Sequence, residues 1–428
     1  MQNVKGTYDF FGKEQAVRQK VRAVVQEVFE LYAFEGMDST VLHELDLLTS
    51  KYAGGDENLK EMYRFTDQRG RKLGLRYDLT IPFAKVMALN PGIKLPYRRY
   101  EIGKVFRDGP VKRGRLREFL QCDADMVGVA GPEAEGELML IAVEVFKRLD
   151  IPVTLRWNNR RFLGEILKAV GVPEEESLSV MLTLDKLEKA GSDGVLEELR
   201  NKGITWSTVD EIAELMAMSE PSITLVAERY DLKESKGAAE VYALQALIDK
   251  LKLSDICRFD PFLSRGLSFY TGTVYEIFDA SGAYASSIGS GGRYDAIIGR
   301  LIGSEEMPYP AVGLSFGMES IMEMIRDRVG PAPAPRVVVL SIGDSMIGEA
   351  LMAAAFLRSN GIQTGMEPAG RKLRKALASL ESRSVRYALL IGEEEAQTGK
   401  VRLKDMKARE EYVVPLDEAL YLLEKNDA

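Results

Sequence analysis

Gln121, Asp123 and Asp125 stand two residues apart in the run F-L-Q-C-D-A-D-M-V. In an extended strand that spacing puts all three on one face. An amide and two acids facing the same way are costly in an apolar core unless a cation or a polar ligand meets them, so the run reads as a binding floor. Just upstream, K-V-F-R-D-G-P-V-K-R-G-R-L-R sets Arg107 at the exit of one strand, with Arg113, Arg115 and Arg117 in a basic loop and at the start of the next. Guanidinium forks gathered at a hairpin tip suit phosphate oxygens, although a solvated basic turn has the same composition. A further arginine, Arg265, precedes Gly266 and the aromatic pair of R-G-L-S-F-Y, ahead of the strand-like T-V-Y-E-I-F. Tyr270 in that block joins Arg76, Asp78 and Thr80, again two apart, and Tyr294 behind the glycine-rich S-G-G-R-Y-D. A glycine-rich string alone is weak support for phosphate binding; carboxylates, tyrosines and arginines on several strands add the weight. Neither G-x-x-x-x-G-K-[ST] nor an early G-x-G-x-x-G is present, which disfavours the two common nucleotide folds.

Composition removes other chemistries. Cys122 and Cys257 lie far apart with no C-x-x-C spacing, so a disulfide framework or thiolate metal site is not expected. The single histidine, His43, sits in the apolar V-L-H-E-L-D-L-L and reads as structural, which leaves no His-based triad or metal cluster. A net charge of −8 argues against indiscriminate nucleic-acid coating while leaving room for local basic patches. No apolar run approaches the ~18 residues of a membrane helix, and the N-terminus lacks a secretory block. The expectation is a soluble, cytoplasmic protein without a membrane partner.

The elements that would position these residues follow from periodicity. Val17, Val21, Val24, Val28 and Leu31 predict an amphipathic helix over 14–34. Alternation around a glycine turn predicts a hairpin over 62–80, and a second β-rich block covers 97–129, followed by a helix at 133–149. Residues 160–252 read as a helical insertion, after which strands resume at 270–289. The stiff Pro331-Ala-Pro-Ala-Pro335 marks a linker at 331–335. Beyond it, 336–428 alternates as βαβαβ and closes with two short strands and a helix, a small α/β domain.

The blocks L-R-Y-D-L-T-I-P-F-A, K-V-F-R-D-G-P-V-K-R-G-R-L-R-E-F-L-Q-C-D-A-D, R-G-L-S-F-Y-T-G-T-V-Y-E and G-G-R-Y-D, in that order, resemble histidyl-tRNA synthetase of class II. The opening N-V-K-G-T-Y-D and the C-terminal I-G-E-E-E also match, so the resemblance covers nearly the whole chain. It implies an α/β (α+β) fold: a catalytic domain over 1–330 with an antiparallel sheet flanked by helices, interrupted by the insertion at 160–252, then an anticodon-binding domain over 336–428. It implies a homodimer using ATP and Mg2+, with histidine and tRNA(His) as substrates. In the family, the positions matching Asp78, Thr80 and Gln121 take the α-amino group. Those matching Asp125 and Tyr270 hold the imidazole, and Tyr294 completes the pocket. Arg265 matches the arginine particular to this family, and Arg107 the class II arginine on the α-phosphate, with Arg115 and Arg117 beside them toward ATP.

The sequence departs from the pattern at general class II positions. G-M-D-S-T-V-L-H has no proline in the first motif, the acid after Arg107 is Asp108, one place early, and G-M-E-S-I carries Ser320 where an arginine normally follows the glutamate. A hydroxyl cannot supply that charge, and losing one charge-assisted contact costs roughly 1.5–3 kcal/mol. Ser268 and Phe269 also differ from the usual residues of the arginine block. Two other readings fit such a pattern: a histidine-binding regulatory subunit of ATP phosphoribosyltransferase, and a paralogue that activates histidine for a non-tRNA acceptor. The retained Arg265 counts against the former, which generally lacks it.

Overall fold

The structure, a computed structural model, describes residues 1–49, 59–111, 114–218, 221–265, 269–303, 309–330 and 334–425. The chain divides into two units, Met1–Val329 and Gly330–Ala428. Most of the expected proline linker, residues 331–333, lies outside the described residues, as do Arg113, Gly266 and Ser268.

In the first unit the strands are β1 (Glu35–Gly36), β2 (Leu42–Glu44), β3 (Arg64–Thr66), β4 (Lys72–Leu75), β5 (Tyr97–Phe106), β6 (Glu118–Val127), β7 (Val153–Asn159), β8 (Cys257–Phe259), β9 (Thr273–Asp279), β10 (Gly289–Arg293) and β11 (Ala311–Gly317). Eight form one sheet in the order β1-β5-β6-β11-β10-β9-β7-β8, antiparallel except for the short outer pairs β1 with β5 and β7 with β8. The other three make a small sheet, β2-β4-β3, which contains the expected hairpin.

Period-two alternation explains how the large sheet serves two environments at once. On β6, Leu120, Cys122, Ala124 and Met126 join the main apolar core, together with Val312, Leu314 and Phe316 of β11. The helices Gly12–Leu31 and Glu133–Arg148 cover that face with Val17, Val21, Val25, Val28, Leu138, Ile141 and Val145. The buried stripe of the first helix runs through Val25 and Phe29 rather than Val24 and Leu31; Leu31 is exposed. The intervening residues of β6, Gln121, Asp123 and Asp125, turn to the opposite face.

Residues 160–250 are helical among the described residues, yet they do not form one separate body. The helices Arg160–Ala169 and Lys236–Lys250 place Phe162, Ile166, Val241, Leu244 and Ile248 in the main core. The helices Ser177–Leu184, Leu187–Asn201 and Trp206–Met216 gather a cluster of their own, with Val180, Leu184, Leu199 and Ile212 against Leu163 and Leu167.

The second unit holds β12 (Val337–Ser341), β13 (Thr364–Met366), β14 (Tyr387–Ile391), β15 (Val401–Asp405) and β16 (Glu410–Val414) in the order β13-β12-β14-β15-β16. The first three are parallel and the last two antiparallel, so the sheet is mixed. Helices Ile347–Ser359 and Leu416–Lys425 bury Ala350, Leu357 and Leu423 in one apolar cluster, while Leu373–Ser382 contributes Leu380 to another.

Candidate active site

The polar face of the large sheet floors a cavity of about 1030 Å³. Asp78, Thr80, Arg107, Arg115, Gln121, Asp125, Arg265, Tyr270 and Tyr294 all line it, as does Asp123. Residues distant in sequence thus converge, although of these only Gln121, Asp123 and Asp125 lie on a strand, the others standing in loops or at a helix start. Arg117 does not line it; its guanidinium lies 3.2 Å from Asp108 at the surface. Arg76 and Asp78 are not partners on one strand face either, because β4 ends at Leu75. Arg76 is buried in a structural ion pair with Glu101 at 2.7 Å. Asp78 instead precedes the helix Thr80–Leu89, where its Oδ1 accepts from the Ile81 N–H at 2.9 Å.

One end of the cavity is acidic. The register opposes Arg99 of β5 to Asp125 of β6, and Gly313 of β11 to the same aspartate. Arg99, fully buried, places Nη2 2.6 Å from Asp125 Oδ2, and the Tyr294 hydroxyl donates to Asp125 Oδ1 at 2.5 Å. Gly313 is needed there: a Cβ would lie 2.2 Å from Asp125 Oδ1. Gln121 Nε2 donates to Ser315 Oγ at 3.0 Å. Gln121 Oε1 and Asp123 Oδ1 are buried without a hydrogen-bond partner among the described residues.

Burial raises the carboxyls of Asp78, Asp123 and Asp125, against the opposing charge of Arg99, with Asp123 pushed up to about 8. Desolvation disfavours the carboxylate, and neighbouring acids add to it. Burial likewise lifts the phenols of Tyr270 and Tyr294. Three desolvated acids face one guanidinium there, with Gln121 Oε1 and Asp123 Oδ1 left as free acceptors, so the floor suits a cationic or N–H-bearing ligand.

The other end is cationic. Arg107 lies over the rings of Tyr77 and Phe119, 4.3 and 5.0 Å from their centroids, with Nε donating to the Tyr77 carbonyl at 3.2 Å. Arg115 forks onto Glu61 at 2.6 and 2.7 Å. Arg265 Nη1 meets Glu276 of β9 at 2.5 Å and sits 6.0 Å from the Tyr270 ring centroid. Burial opposes its charge, but Tyr270 and Glu276 outweigh that and hold it above the ordinary arginine value. The left-handed backbone at this turn belongs to Arg265 itself, φ +57°. A side chain there is sparsely populated and marks a constrained position.

Ser320 also lines the cavity, its Oγ 3.0 Å from the Tyr284 hydroxyl. The preceding Glu319 is buried, 2.8 Å from Arg18 and accepting the Leu120 N–H at 3.2 Å, and so ties the helix Met318–Ile325 to the first helix and β6. His43 stands apart from the cavity on β2, where burial lowers it to about 4. It is a core side chain, as its apolar setting predicted.

Sequence reasoning missed Arg99, Glu276 and the insertion residues Asp185, Lys186, Lys189 and Lys202, which also line or charge the cavity. Arg99 was available in principle: in Y-R-R-Y it alternates in phase with Glu101, the residue opposite Asp123. The insertion residues carry no such signal, because only the chain's path brings them back over the sheet.

An antiparallel sheet with one apolar and one polar face, an acid floor beside clustered arginines, and a separate mixed-sheet unit together define a class II aminoacyl-tRNA synthetase. The profile described as "Histidyl-tRNA synthetase" matches residues 6–321, and "Anticodon binding domain" matches 336–426. The chain belongs to the histidyl-tRNA synthetase family. It is 44% identical over 419 residues to "Histidine--tRNA ligase 1" of Bacillus anthracis, covering 97% of this chain and 98% of that one. "Histidine--tRNA ligase" of Aeropyrum pernix is 33% identical over 438 residues, with 98% and 97% covered. Among solved structures, histidyl-tRNA synthetase from Nostoc sp. PCC 7120 superposes with a TM-score of 0.80 at 26% identity, covering 99% of each chain.

Proposed function

We propose that the chain is a histidine–tRNA ligase that makes histidyl-adenylate from histidine and ATP and passes the histidyl group to tRNA(His). The observation that carries this reading is the single cavity with acids at one end and Arg107, Arg115 and Arg265 at the other. Asp78, Thr80 and Gln121 receive the α-ammonium; Asp125, Tyr270 and Tyr294 wall the imidazole. The histidine carboxylate then attacks the α-phosphorus of ATP as the bond to the β-phosphate bridging oxygen breaks and pyrophosphate leaves. Arg107 and Arg265 bear on that centre because guanidinium stays charged and offers donors in a fixed fork to the developing negative oxygens. A ribose hydroxyl of the tRNA terminus subsequently displaces AMP.

Among the described residues no group of three or more metal-ligating side chains gathers. These residues offer Mg2+ no ready-made cage, and such an ion would arrive on the triphosphate, as it commonly does. Residues 1–330 act as the catalytic domain and 336–428 as the anticodon-binding one. There Lys372, Arg374 and Lys375 are exposed at the start of the helix Leu373–Ser382, available to a nucleic-acid backbone. No helix among the described residues is long and apolar enough to cross a membrane. A cytoplasmic homodimer completes the reading.

Histidine-dependent ATP–pyrophosphate exchange, followed by charging of tRNA(His), tests the proposal. Exchange that responds to histidine alone among the amino acids is the expected result; an active-site-titrated enzyme that shows none refutes it.

A further inference from the structure

We infer that Ser264 is a positioning residue for the phosphate chemistry: its hydroxyl ties the turn that carries Arg265 to the helix Ser177–Leu184, so the place of the guanidinium depends on how that helix is seated. The inference rests on the role proposed above for Arg265 and adds to it a residue that is not among those lining the cavity.

Arg265 has φ +57°, and a side chain in that conformation persists only where its surroundings over-determine it. Two of the anchors come from the large sheet. Asn158 of β7, fully buried, donates Nδ2 to the carbonyls of Pro261 and Leu263, each at 2.9 Å. Glu276 of β9, the strand paired with β7, meets the guanidinium itself at 2.5 Å. The third anchor is of another kind. Ser264, also fully buried, donates Oγ to the Met181 carbonyl at 2.7 Å, across 83 residues of chain and into the helical insertion.

That carbonyl stands at a junction. It accepts the Asp185 N–H at 3.0 Å as the helix Ser177–Leu184 ends, and the chain runs on directly through Asp185, Lys186 and Lys189, which line the cavity. Ser264 therefore joins the Arg265 turn to the segment that brings those side chains to the site. Removing its hydroxyl orphans no acceptor, because the Met181 carbonyl keeps the Asp185 N–H, so the fold survives the loss. What changes is the freedom of the turn, and a reacting group displaced by about 1 Å can lose about a hundredfold in rate.

The test compares single-turnover formation of histidyl-adenylate, histidine binding and urea unfolding in full-length wild type, Ser264→Ala, Ser264→Cys, Arg265→Lys, and each Ser264 variant combined with Arg265→Lys. Ser264→Ala is expected to slow adenylate formation roughly tenfold to a hundredfold and to leave histidine affinity unchanged. Ser264→Cys, whose S–H is a weaker donor, shows a smaller loss in the same sense and serves if the alanine variant does not fold. With Arg265 already replaced, the change at 264 slows the step by less than about threefold, because the group it positions is gone. An unchanged rate in Ser264→Ala overturns the inference. So does an equal loss with and without the arginine, which is the result a merely structural role gives. A wild type that shows no histidine-dependent exchange instead strikes the functional reading itself.

Discussion

Replacing Arg99 with methionine asks whether one buried cation holds the acid floor together. Arg99 is fully buried, with Nη2 2.6 Å from Asp125 and Nη1 3.8 Å from Glu101, and its charge also acts on Asp123. Methionine retains much of the stem and a soft contact to Phe83, whose ring centroid lies 4.4 Å from the guanidinium carbon. Removing one member of a buried ion pair costs about 3–5 kcal/mol when the other stays charged. The acids have an alternative, which is to bind protons. Burial already raises Asp123 to about 8 and lifts Asp125 above its ordinary value. At about pH 5 the variant can hold both neutral, and the loss shrinks to hydrogen bonds worth about 1–2 kcal/mol. A carboxyl raised in the folded state binds more protons folded than unfolded. Its stabilising share is therefore complete below the ordinary aspartate value of 3.8 and is lost as pH rises through the folded one. Without Arg99 the folded values rise further and this loss deepens. Urea unfolding of ligand-free wild type and Arg99→Met is expected to show a gap of about 1–2 kcal/mol near pH 5 that widens to about 3–5 kcal/mol near pH 8. A gap that is the same at both, or one below about 0.5 kcal/mol near pH 8, refutes the reasoning.

Arg265→Lys keeps the charge but loses the planar guanidinium that meets Glu276 through Nη1 and would offer two donors to the phosphate. Pre-steady-state adenylate formation should slow by roughly tenfold to a thousandfold with little change in histidine affinity, and an unchanged rate would remove Arg265 from the chemistry. Gly114→Ala meets two obstacles at once, φ +70° and a Cβ 1.9 Å from the Tyr284 hydroxyl. A stability loss of about 1–3 kcal/mol with a raised KM for ATP is expected in unfolding and exchange assays; intact stability would mean that the turn rearranges freely. Glu135→Gln breaks a bidentate pair with Arg293 at 2.7 and 2.6 Å, away from the cavity. Chemical denaturation should register about 3–5 kcal/mol, while kcat of the folded fraction stays near wild type.

The sheet was legible because its side chains obey period two: the same strand that offers Leu120, Cys122 and Ala124 to the core offers Gln121, Asp123 and Asp125 to the cavity. The C-terminal alternation of strand and helix was legible for a similar reason. Arg76 misled because a strand-like spacing, Arg76, Asp78, Thr80, runs across the end of β4 and into a helix start. Local pattern does not reveal where pairing stops. Arg99 and Glu276 escaped notice because their importance lies in what stands opposite them, a property of the register. The insertion was read as a separate helical piece, yet its first and last helices share the main core, since their apolar stripes face the sheet. Like Arg76, Arg117 stands off the cavity, its guanidinium 3.2 Å from Asp108 in a surface ion pair.

The two ends of the cavity are prepared differently for their ligands. Two of the three arginines at the cationic end already have carboxylate partners, Arg115 on Glu61 and Arg265 on Glu276. An incoming triphosphate therefore exchanges one anionic partner for another at these positions, so part of the attraction is spent displacing a carboxylate. What the pairs supply is orientation, because each guanidinium is held in place before any phosphate arrives. Arg107 is held instead by the rings of Tyr77 and Phe119 and by a backbone carbonyl, though its charge also acts on Asp78. It is the one of the three not tied to a carboxylate at ion-pair distance among the described residues. The acid end sets Asp78, Asp123 and Asp125, whose charged forms burial disfavours, against Arg99, and an incoming ammonium favours those charged forms. A ligand with an ammonium at one point and a carboxylate at another suits both ends when it lies across the cavity in one direction only. The charge pattern thereby orients the amino acid before any side-chain contact distinguishes its ring.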